Sequence, residues 1–283
     1  MALSHPPLRW DRRHGMLRHI FLSLLVFQSL PLLISEGASL AGQPVKGGAT
    51  LEIRFPVAKT FQDLAAEGGN PRVETGRAVL TFPSGFDPAR RWPILAVTST
   101  SDFNRTSPMD AEWYRRPALN EGWVLLASDA TVSPRIDSTQ WRLAMLAAAL
   151  ETIHKEWPQS ARWPVAFAGF SGGAKRSGLI APMLARSGSV KACGLFLSGI
   201  NEDRLSEAYK TYHPGGNFLS VPIWLSSGQS DNVATPQDHD RVKASLERTG
   251  FRNVRLERFS GGHQVKMGDV ERALHWFREI GKF

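Results

Sequence analysis

The chain has 283 residues, of which 42% are hydrophobic and 21% are charged. These proportions are typical of a globular protein that is long enough to bury a sizeable core, and they exclude a collagen-like, coiled-coil or largely disordered chain. The formal net charge is +8, but the Lys and Arg residues are scattered along the sequence. A nucleic-acid surface usually needs a concentrated basic stripe, so no nucleic-acid partner is predicted.

The N-terminal segment differs in composition from the rest of the chain. Arginines occur at positions 9, 12, 13 and 18, an apolar run covers residues 20–34, and small residues follow at Ser39 and Ala41. This order is typical of a secretory signal peptide. We therefore predict a signal peptide over residues 1–41, which starts at Met1 or Met16, and a secreted or periplasmic location.

The remainder, residues 42–283, is predicted to form a single domain. The apolar run over residues 20–34 is shorter than the roughly 20 residues that a membrane-spanning helix needs. No stable membrane span is therefore expected after cleavage, and an uncleaved N-terminal anchor is the alternative. Cys193 is the only cysteine and lies in an apolar stretch, which excludes an intrachain disulfide and predicts a buried structural thiol.

After the N-terminal segment, short apolar runs alternate with helical patterns. Strands are predicted over residues 51–57, 77–82, 93–98, 123–128, 165–168, 192–198, 221–226 and 254–259. Helices are predicted over residues 138–157 and 235–250 and near the C-terminus, where one face carries Val270, Ala273, Leu274, Phe277 and Ile280. The alternation predicts an α/β protein with a mostly parallel central sheet of about eight strands and helices on both faces. In such sheets, functional sites lie beyond the carboxyl ends of the strands.

A Gly-Phe-Ser-Gly-Gly sequence follows the predicted strand over residues 165–168 and precedes a helical pattern. In the G-x-S-x-G motif a sharp strand-to-helix turn presents the serine, and the glycines avoid collisions with neighbouring backbone. We therefore predict Ser171 as a nucleophile. The N–H of Gly172 is predicted to stabilise an oxyanion, because it lies at a helix N-terminus.

A serine nucleophile needs a base and an acid that orients the base. His263 lies on a glycine-flanked loop after the last predicted strand and is the preferred base, with His213 as the rival. Asp231 follows the strand over residues 221–226 and is the preferred acid, since the order Ser, Asp, His matches this type of triad. Asp129 is the alternative acid.

Together these motifs resemble the α/β-hydrolase superfamily. The likeness rests on residues 169–173, 228–231 and 261–263, and it extends from about residue 51 to the C-terminus. Within the superfamily the chain is similar to small secreted esterases of the polyhydroxybutyrate-depolymerase and feruloyl-esterase kind, and to prolyl-oligopeptidase-like catalytic domains. The resemblance implies a serine carboxylic-ester hydrolase. A prolyl-oligopeptidase-like peptidase and a catalytically idle binding protein of the same fold are the alternatives.

One segment departs from the pattern of the superfamily. Its members commonly carry a His-Gly-Gly or similar sequence after the third strand, where a second backbone N–H binds the oxyanion. Residues 98–103 read Thr-Ser-Thr-Ser-Asp-Phe here and contain no glycine. Thr100 is the predicted second donor, through its N–H or hydroxyl, with Ser101 as the alternative.

The expected substrate is a small-molecule ester or an ester group on a polymer. The insertion over residues 201–220 is long enough for a rim but not for a lid domain, which indicates a shallow site. Phe103 and Phe170 are the predicted substrate contacts; Trp113 and Phe218 are further candidates, and core packing is the alternative role of all four. No metal-ligand spacing such as H-E-x-x-H occurs, so neither a metal nor a cofactor is expected.

Overall fold

The computed structural model describes residues 38–100 and 105–283. Most of the predicted signal peptide and the predicted substrate contact Phe103 lie outside the described residues. The strands are β1 (Ser39–Leu40), β2 (Gln43–Pro44), β3 (Thr50–Pro56), β4 (Thr75–Thr81), β5 (Ile94–Thr98), β6 (Val124–Ala130), β7 (Pro164–Phe170), β8 (Lys191–Ser198), β9 (Ile223–Gly228) and β10 (Val254–Phe259). The α-helices are α1 (Lys59–Ala66), α2 (Ser107–Asn120), α3 (Thr139–Glu156), α4 (Gly172–Arg186), α5 (Arg204–Tyr212), α6 (Pro236–Thr249) and α7 (Met267–Gly281).

Eight strands form one sheet in the order β10-β9-β8-β7-β5-β6-β4-β3. The strands from β10 to β6 pair in parallel, whereas β4 pairs antiparallel with both β6 and β3. The predicted fold class is therefore confirmed. β10 lies at one edge of the sheet, and its polar, alternating sequence is typical of an edge strand. The carboxyl ends of the six parallel strands, β10 to β6, consequently lie side by side along one end of the sheet.

The side chains of β5 show how the sheet divides the core. Ile94 and Ala96 pack into one apolar cluster, and Leu95 and Val97 pack into the other. Successive residues of a strand point to opposite faces, so a strand that is apolar throughout must be covered on both sides. Helix α3 contributes to the first cluster and α7 to the second, and these layers hold the strand ends in fixed positions.

Several local features complete or correct the sequence-based prediction. Cys193 is buried as predicted, and burial raises the pKa of its thiol well above the ordinary value. Ile280, which the helical pattern placed on the buried face of α7, is 41% exposed because it lies in the last turn of that helix. Leu40 is fully buried, and the N–H of Val45 donates to the Ala38 carbonyl, so the β1–β2 hairpin packs on the domain. No helix within the described ranges combines the length and apolar character that a membrane crossing requires.

Candidate active site

Ser171 lies in a strained turn between β7 and α4. Its backbone angles are φ 55° and ψ −120°, and it caps the N-terminus of α4. A positive φ is uncommon for any residue other than glycine, and such outliers concentrate at functional sites. Its N–H donates to the carbonyl of Ser198 at 2.9 Å, which ties the turn to the end of β8. The serine is thereby held at the carboxyl edge of the sheet.

Two glycines permit this turn because the backbone passes too close for side chains. A Cβ atom at Gly169 would lie 2.2 Å from the carbonyl oxygen of Gly173, and one at Gly173 would lie 2.2 Å from the carbonyl oxygen of Thr98. Any larger residue at either position would force backbone to move. The G-x-S-x-G spacing in the sequence thus has a direct steric cause in the structure.

Asp231 and His263 meet at the same edge of the sheet. Nδ1 of His263 lies 2.7 Å from Oδ2 of Asp231, and the other carboxylate oxygen accepts the N–H groups of Val233 at 2.8 Å and Ala234 at 2.9 Å. The Asp231 side chain is 1% exposed and the His263 side chain is 20% exposed. The imidazole is therefore oriented by a buried carboxylate while part of its ring reaches the surface.

The hydrogen bonds around Asp231 favour its ionised form. Burial by itself raises the pKa of this carboxyl, but the N–H of Ala234, the imidazole of His263 and the N–H of Val233 together outweigh burial and lower the pKa below its ordinary value. A carboxylate in this position accepts the Nδ1–H of the histidine and leaves Nε2 with a lone pair. That is the tautomer which a general base requires.

The loops that carry Asp231 and His263 are bonded to each other. The N–H of Ser230 donates to the carbonyl of Gly261 at 2.9 Å. A Cβ atom at Gly228 would lie 2.3 Å from the carbonyl oxygen of Gly262. The absence of a side chain at Gly228 thus allows the histidine loop to pack directly against the acid loop.

The ring of His263 has two close neighbours near Ser171. Its centroid lies 4.4 Å from that of Phe170, the residue before Ser171. Gly199 has φ 59°, and a Cβ atom there would lie 2.9 Å from Cε1 of His263. Gly199 was not predicted as a site residue; the available signal was a glycine directly after the predicted strand over residues 192–198. Trp113 packs edge-on against Phe170 at 5.6 Å between centroids, so Phe170 lies between an aromatic ring and the imidazole.

A cleft of about 350 Å³ opens beside Ser171. Its lining includes Ser171, Gly172, Thr100, Lys175 and Arg176. A Cβ atom at Gly172 would lie 2.6 Å from Oγ1 of Thr100, so this hydroxyl packs directly against the turn that follows the serine. The structure therefore brings both predicted oxyanion residues to the cleft.

The backbone N–H of Thr100 has a different neighbour. It faces the carboxylate of Asp110. Burial raises the pKa of this carboxyl above its ordinary value, although Arg105 and the N–H of Thr100 each act to lower it. The hydroxyl of Thr100, and not its backbone N–H, therefore lies beside Gly172.

The rival residues from the sequence lie elsewhere. Asp129 forms an ion pair with Arg142 at 3.1 Å, whereas the carboxylate that contacts His263 among the described residues is that of Asp231. His213 caps the C-terminus of α5 in a left-handed conformation. Phe218 is 4% exposed and packs between Tyr209 and Phe251. Phe218 is consequently a core residue, and Asp129 belongs to an arginine network.

Across residues 38–100 and 105–283, no three His, Cys, Asp or Glu side chains are arranged to hold a metal ion. His239 is buried, and its ring is occupied by protein groups: Nδ1 lies 3.0 Å from the carbonyl of Thr235, and Nε2 accepts the N–H of Ile200 at 3.3 Å. Burial lowers the pKa of His239. This histidine therefore joins the start of α6 to the end of β8.

Comparisons with solved structures identify the fold. An esterase from Pyrobaculum calidifontis aligns with a TM-score of 0.58 and 14% identity, over 83% of this chain and 86% of that chain. A fungal esterase from Rhizomucor miehei aligns with a TM-score of 0.57 and 15% identity, over 83% and 85% of the two chains. Esterase 2 of Thermogutta terrifontis aligns with a TM-score of 0.52 and 16% identity, over 84% of this chain and 94% of that chain. No family model matches the sequence, and no curated protein matches it significantly. The similarity in structure confirms that the chain has the α/β-hydrolase fold.

Proposed function

We propose that this protein is a serine hydrolase that cleaves carboxylic esters through an acyl-enzyme on Ser171. The observation that carries the proposal is the hydrogen-bonded pair of Asp231 and His263, whose imidazole packs against the residue next to the strained serine. A buried carboxylate, an oriented imidazole and a serine on a sharp turn are the three parts that nucleophilic acyl transfer requires. The esterase fold neighbours support this reaction class.

In the first half of the reaction, Oγ of Ser171 attacks the carbonyl carbon of the ester while Nε2 of His263 takes the hydroxyl proton. The Asp231 carboxylate stabilises the imidazolium through Nδ1–H. When the tetrahedral intermediate collapses, the C–O bond to the alcohol breaks and Nε2 gives its proton to the departing oxygen. In the second half, water attacks the acyl group by the same steps and releases the acid and the free serine.

Two donors are proposed for the oxyanion of the intermediate. The N–H of Gly172 belongs to the first turn of α4, where backbone N–H groups lack partners within the helix. The hydroxyl of Thr100 lies directly beside it. A hydroxyl donor in place of a second backbone N–H fits the absence of glycine after β5. Loss of one oxyanion donor typically costs about 3–4 kcal/mol of transition-state stabilisation.

The proposed substrates are small-molecule esters or ester groups on polymers. The insertion between β8 and β9 contains only the short helix α5 and a turn, so it forms a rim and not a separate lid domain. The N-terminal sequence pattern supports a secreted or periplasmic location for this activity.

A panel of 4-nitrophenyl esters tests the proposal. The wild-type protein is expected to release nitrophenolate from short acyl esters, and Ser171→Ala is expected to lower the turnover rate by about 10⁴-fold or more. Thermal melting of the variant checks that its fold is intact. Equal rates in the wild type and in Ser171→Ala would contradict the proposed nucleophile.

A further inference from the structure

A second cavity, also of about 350 Å³, lies at the carboxyl end of β6. We call it the arginine pocket, because its lining contains Arg54, Arg77, Arg105, Arg135 and Arg142. Two carboxylates, Asp129 and Asp137, also line it. Five guanidinium groups around one small cavity are a concentration of positive charge that core packing does not require.

The two carboxylates of the pocket are already neutralised. Arg142 forms ion pairs with Asp129 at 3.1 Å and with Asp137 at 2.8 Å. Arg176 forms a further ion pair with Asp137 at 3.1 Å. Two guanidinium groups therefore balance two carboxylates in a network that is largely buried. Buried charges are tolerated when they are paired in this way. The network leaves no carboxylate of the pocket for the other arginines.

Arg105 is paired with Asp110 at 2.7 Å, and the other three arginines give the pocket an excess of positive charge. Arg54 and Arg135 are exposed and form no ion pair with any described residue. Arg77 forms only a long ion pair, at 4.0 Å, with the carboxylate of Glu52. Its Nε is buried without a hydrogen-bond partner in the described structure. Guanidinium groups bind planar or tetrahedral oxyanions through paired N–H donors. The pocket is thus suited to a carboxylate, sulfate or phosphate group.

The arginine pocket and the catalytic cleft share a wall. Asp137 lines the pocket and Arg176 lines the cleft that contains Ser171. These two side chains form an ion pair with each other. On another side, the guanidinium of Arg105 stacks over Trp113 at 4.5 Å. Trp113 in turn contacts Phe170, the residue before the nucleophile. The pocket and the cleft are therefore neighbours that lie on either side of the Asp137–Arg176 pair.

The cleft itself also favours negative charge. Lys175, on the first turn of α4 after Ser171, lines the cleft, and its ammonium contacts only a neutral acceptor in the described structure, Oδ1 of Asn201 at 3.3 Å. An anionic substrate would meet a cation beside the nucleophile and further cations in the arginine pocket.

We propose that the arginine pocket binds an anionic group carried by the substrate, so that the protein acts on esters of acidic molecules bearing carboxylate, sulfate or phosphate groups. The substrate class rests on the proposed ester hydrolysis, whereas the binding of an anion in the pocket does not. Two experiments therefore separate the two claims.

The first experiment measures anion binding without catalysis. Ser171→Ala protein is melted in rising inorganic sulfate, with the ionic strength held constant by chloride. A ligand that binds the native state raises the melting temperature with its concentration. We expect the sulfate-dependent shift to be lost when Arg54→Gln and Arg135→Gln are added. A control with Arg186→Gln and Arg248→Gln, two exposed arginines far along α4 and α6, makes the same charge change and is expected to retain the shift. Equal shifts in both double variants would overturn the anion site.

The second experiment tests whether the substrate supplies the anion. The 4-nitrophenyl half-esters of dicarboxylic acids from adipate to sebacate are compared with the esters of monocarboxylic acids of the same chain lengths. We expect the ratio of kcat/KM for charged over neutral esters to fall about tenfold in the Arg54→Gln, Arg135→Gln variant and to be unchanged in the control. An unchanged ratio in both would overturn the substrate assignment. Sulfate binding with no hydrolysis of any ester would leave the anion site standing and contradict the esterase function.

Discussion

Ser171 combines a strained backbone with small neighbours. A residue held in a sparsely populated φ/ψ region costs about 1–3 kcal/mol, which the surrounding structure must supply. Here the packing of β7 and α4 and the hydrogen bond from the Ser171 N–H to Ser198 impose the conformation. The motif in the sequence was sufficient to predict this turn, because the turn leaves no room for side chains at Gly169 and Gly173 and the sequence shows glycine at both positions.

The identity of the acid can be tested by two matched substitutions. Asp231→Asn is expected to lower esterase turnover by about 10⁴-fold, since an amide at this position favours the wrong tautomer of His263. Asp129→Asn removes a carboxylate from the Arg142 network and is expected to affect stability more than turnover. The measurement is kcat for 4-nitrophenyl acetate, with a thermal melt of each variant.

The reverse pattern would reassign the acid. If Asp129→Asn abolished turnover in a fully folded protein while Asp231→Asn left turnover intact, the bond between Asp231 and His263 would have no catalytic role.

The dependence of activity on pH follows from the protonation states of the same pair. His263 can take the Ser171 proton only through a neutral imidazole, so kcat/KM is expected to fall as acid protonates the ring. Burial raises the pKa of Asp231, but its hydrogen bonds lower the pKa below the ordinary value. The carboxylate therefore stays ionised until the pH falls below about 4, the ordinary pKa of an aspartate side chain. We expect a single acidic limb in a pH–rate profile, and a rate that does not fall at all between neutral pH and about 4 would refute His263 as the base.

At the level of elements, the site depends on close contact between two loops. The loop after β9 carries Asp231 and the loop after β10 carries His263. Gly228, the last residue of β9, lies so near the Gly262 carbonyl that a Cβ atom would be 2.3 Å from its oxygen. Since the contact is backbone against side chain, it cannot be relieved by a change of rotamer.

Gly228→Ala is therefore expected to separate the histidine loop from the acid loop and to reduce kcat by at least about 10²-fold. Gly215→Ala is the matched control, because a Cβ atom at Gly215 meets nothing within 4 Å. The two variants are compared by ester turnover and thermal melting. Full activity in Gly228→Ala would show that the spacing of the loops is not critical.

Some elements of the site could not be predicted from local patterns. The sequence order placed Ser171, Asp231 and His263 after three different strands, β7, β9 and β10, and that alone brings them to one edge of a parallel sheet. The role of the Thr100 hydroxyl and the network around Arg142 depend on which side chains meet across separate loops. Helix α2 was not predicted, because Pro108 and Pro117 and several charged residues obscure its apolar face.

For the whole molecule, the strand–helix alternation was enough to predict the class of fold but not the order of the strands. The position of β5 between β6 and β7, and the antiparallel placement of β4, arise from long-range packing that no short window of sequence contains. The pattern of charge across two adjacent cavities likewise arises only when β3, β4 and the loops after β5 and β6 come together. The fold thereby places the proposed anion site beside the proposed nucleophile.

The central claim is that Ser171 is an activated nucleophile, and a fluorophosphonate probe tests it most directly. Such probes form a covalent bond with a serine whose hydroxyl is deprotonated by a neighbouring base. We expect the wild-type protein to be labelled, with the adduct mapped by mass spectrometry to Ser171, and we expect Ser171→Ala to remain unlabelled. No labelling of the folded wild type, or equal labelling of Ser171→Ala, would contradict the account.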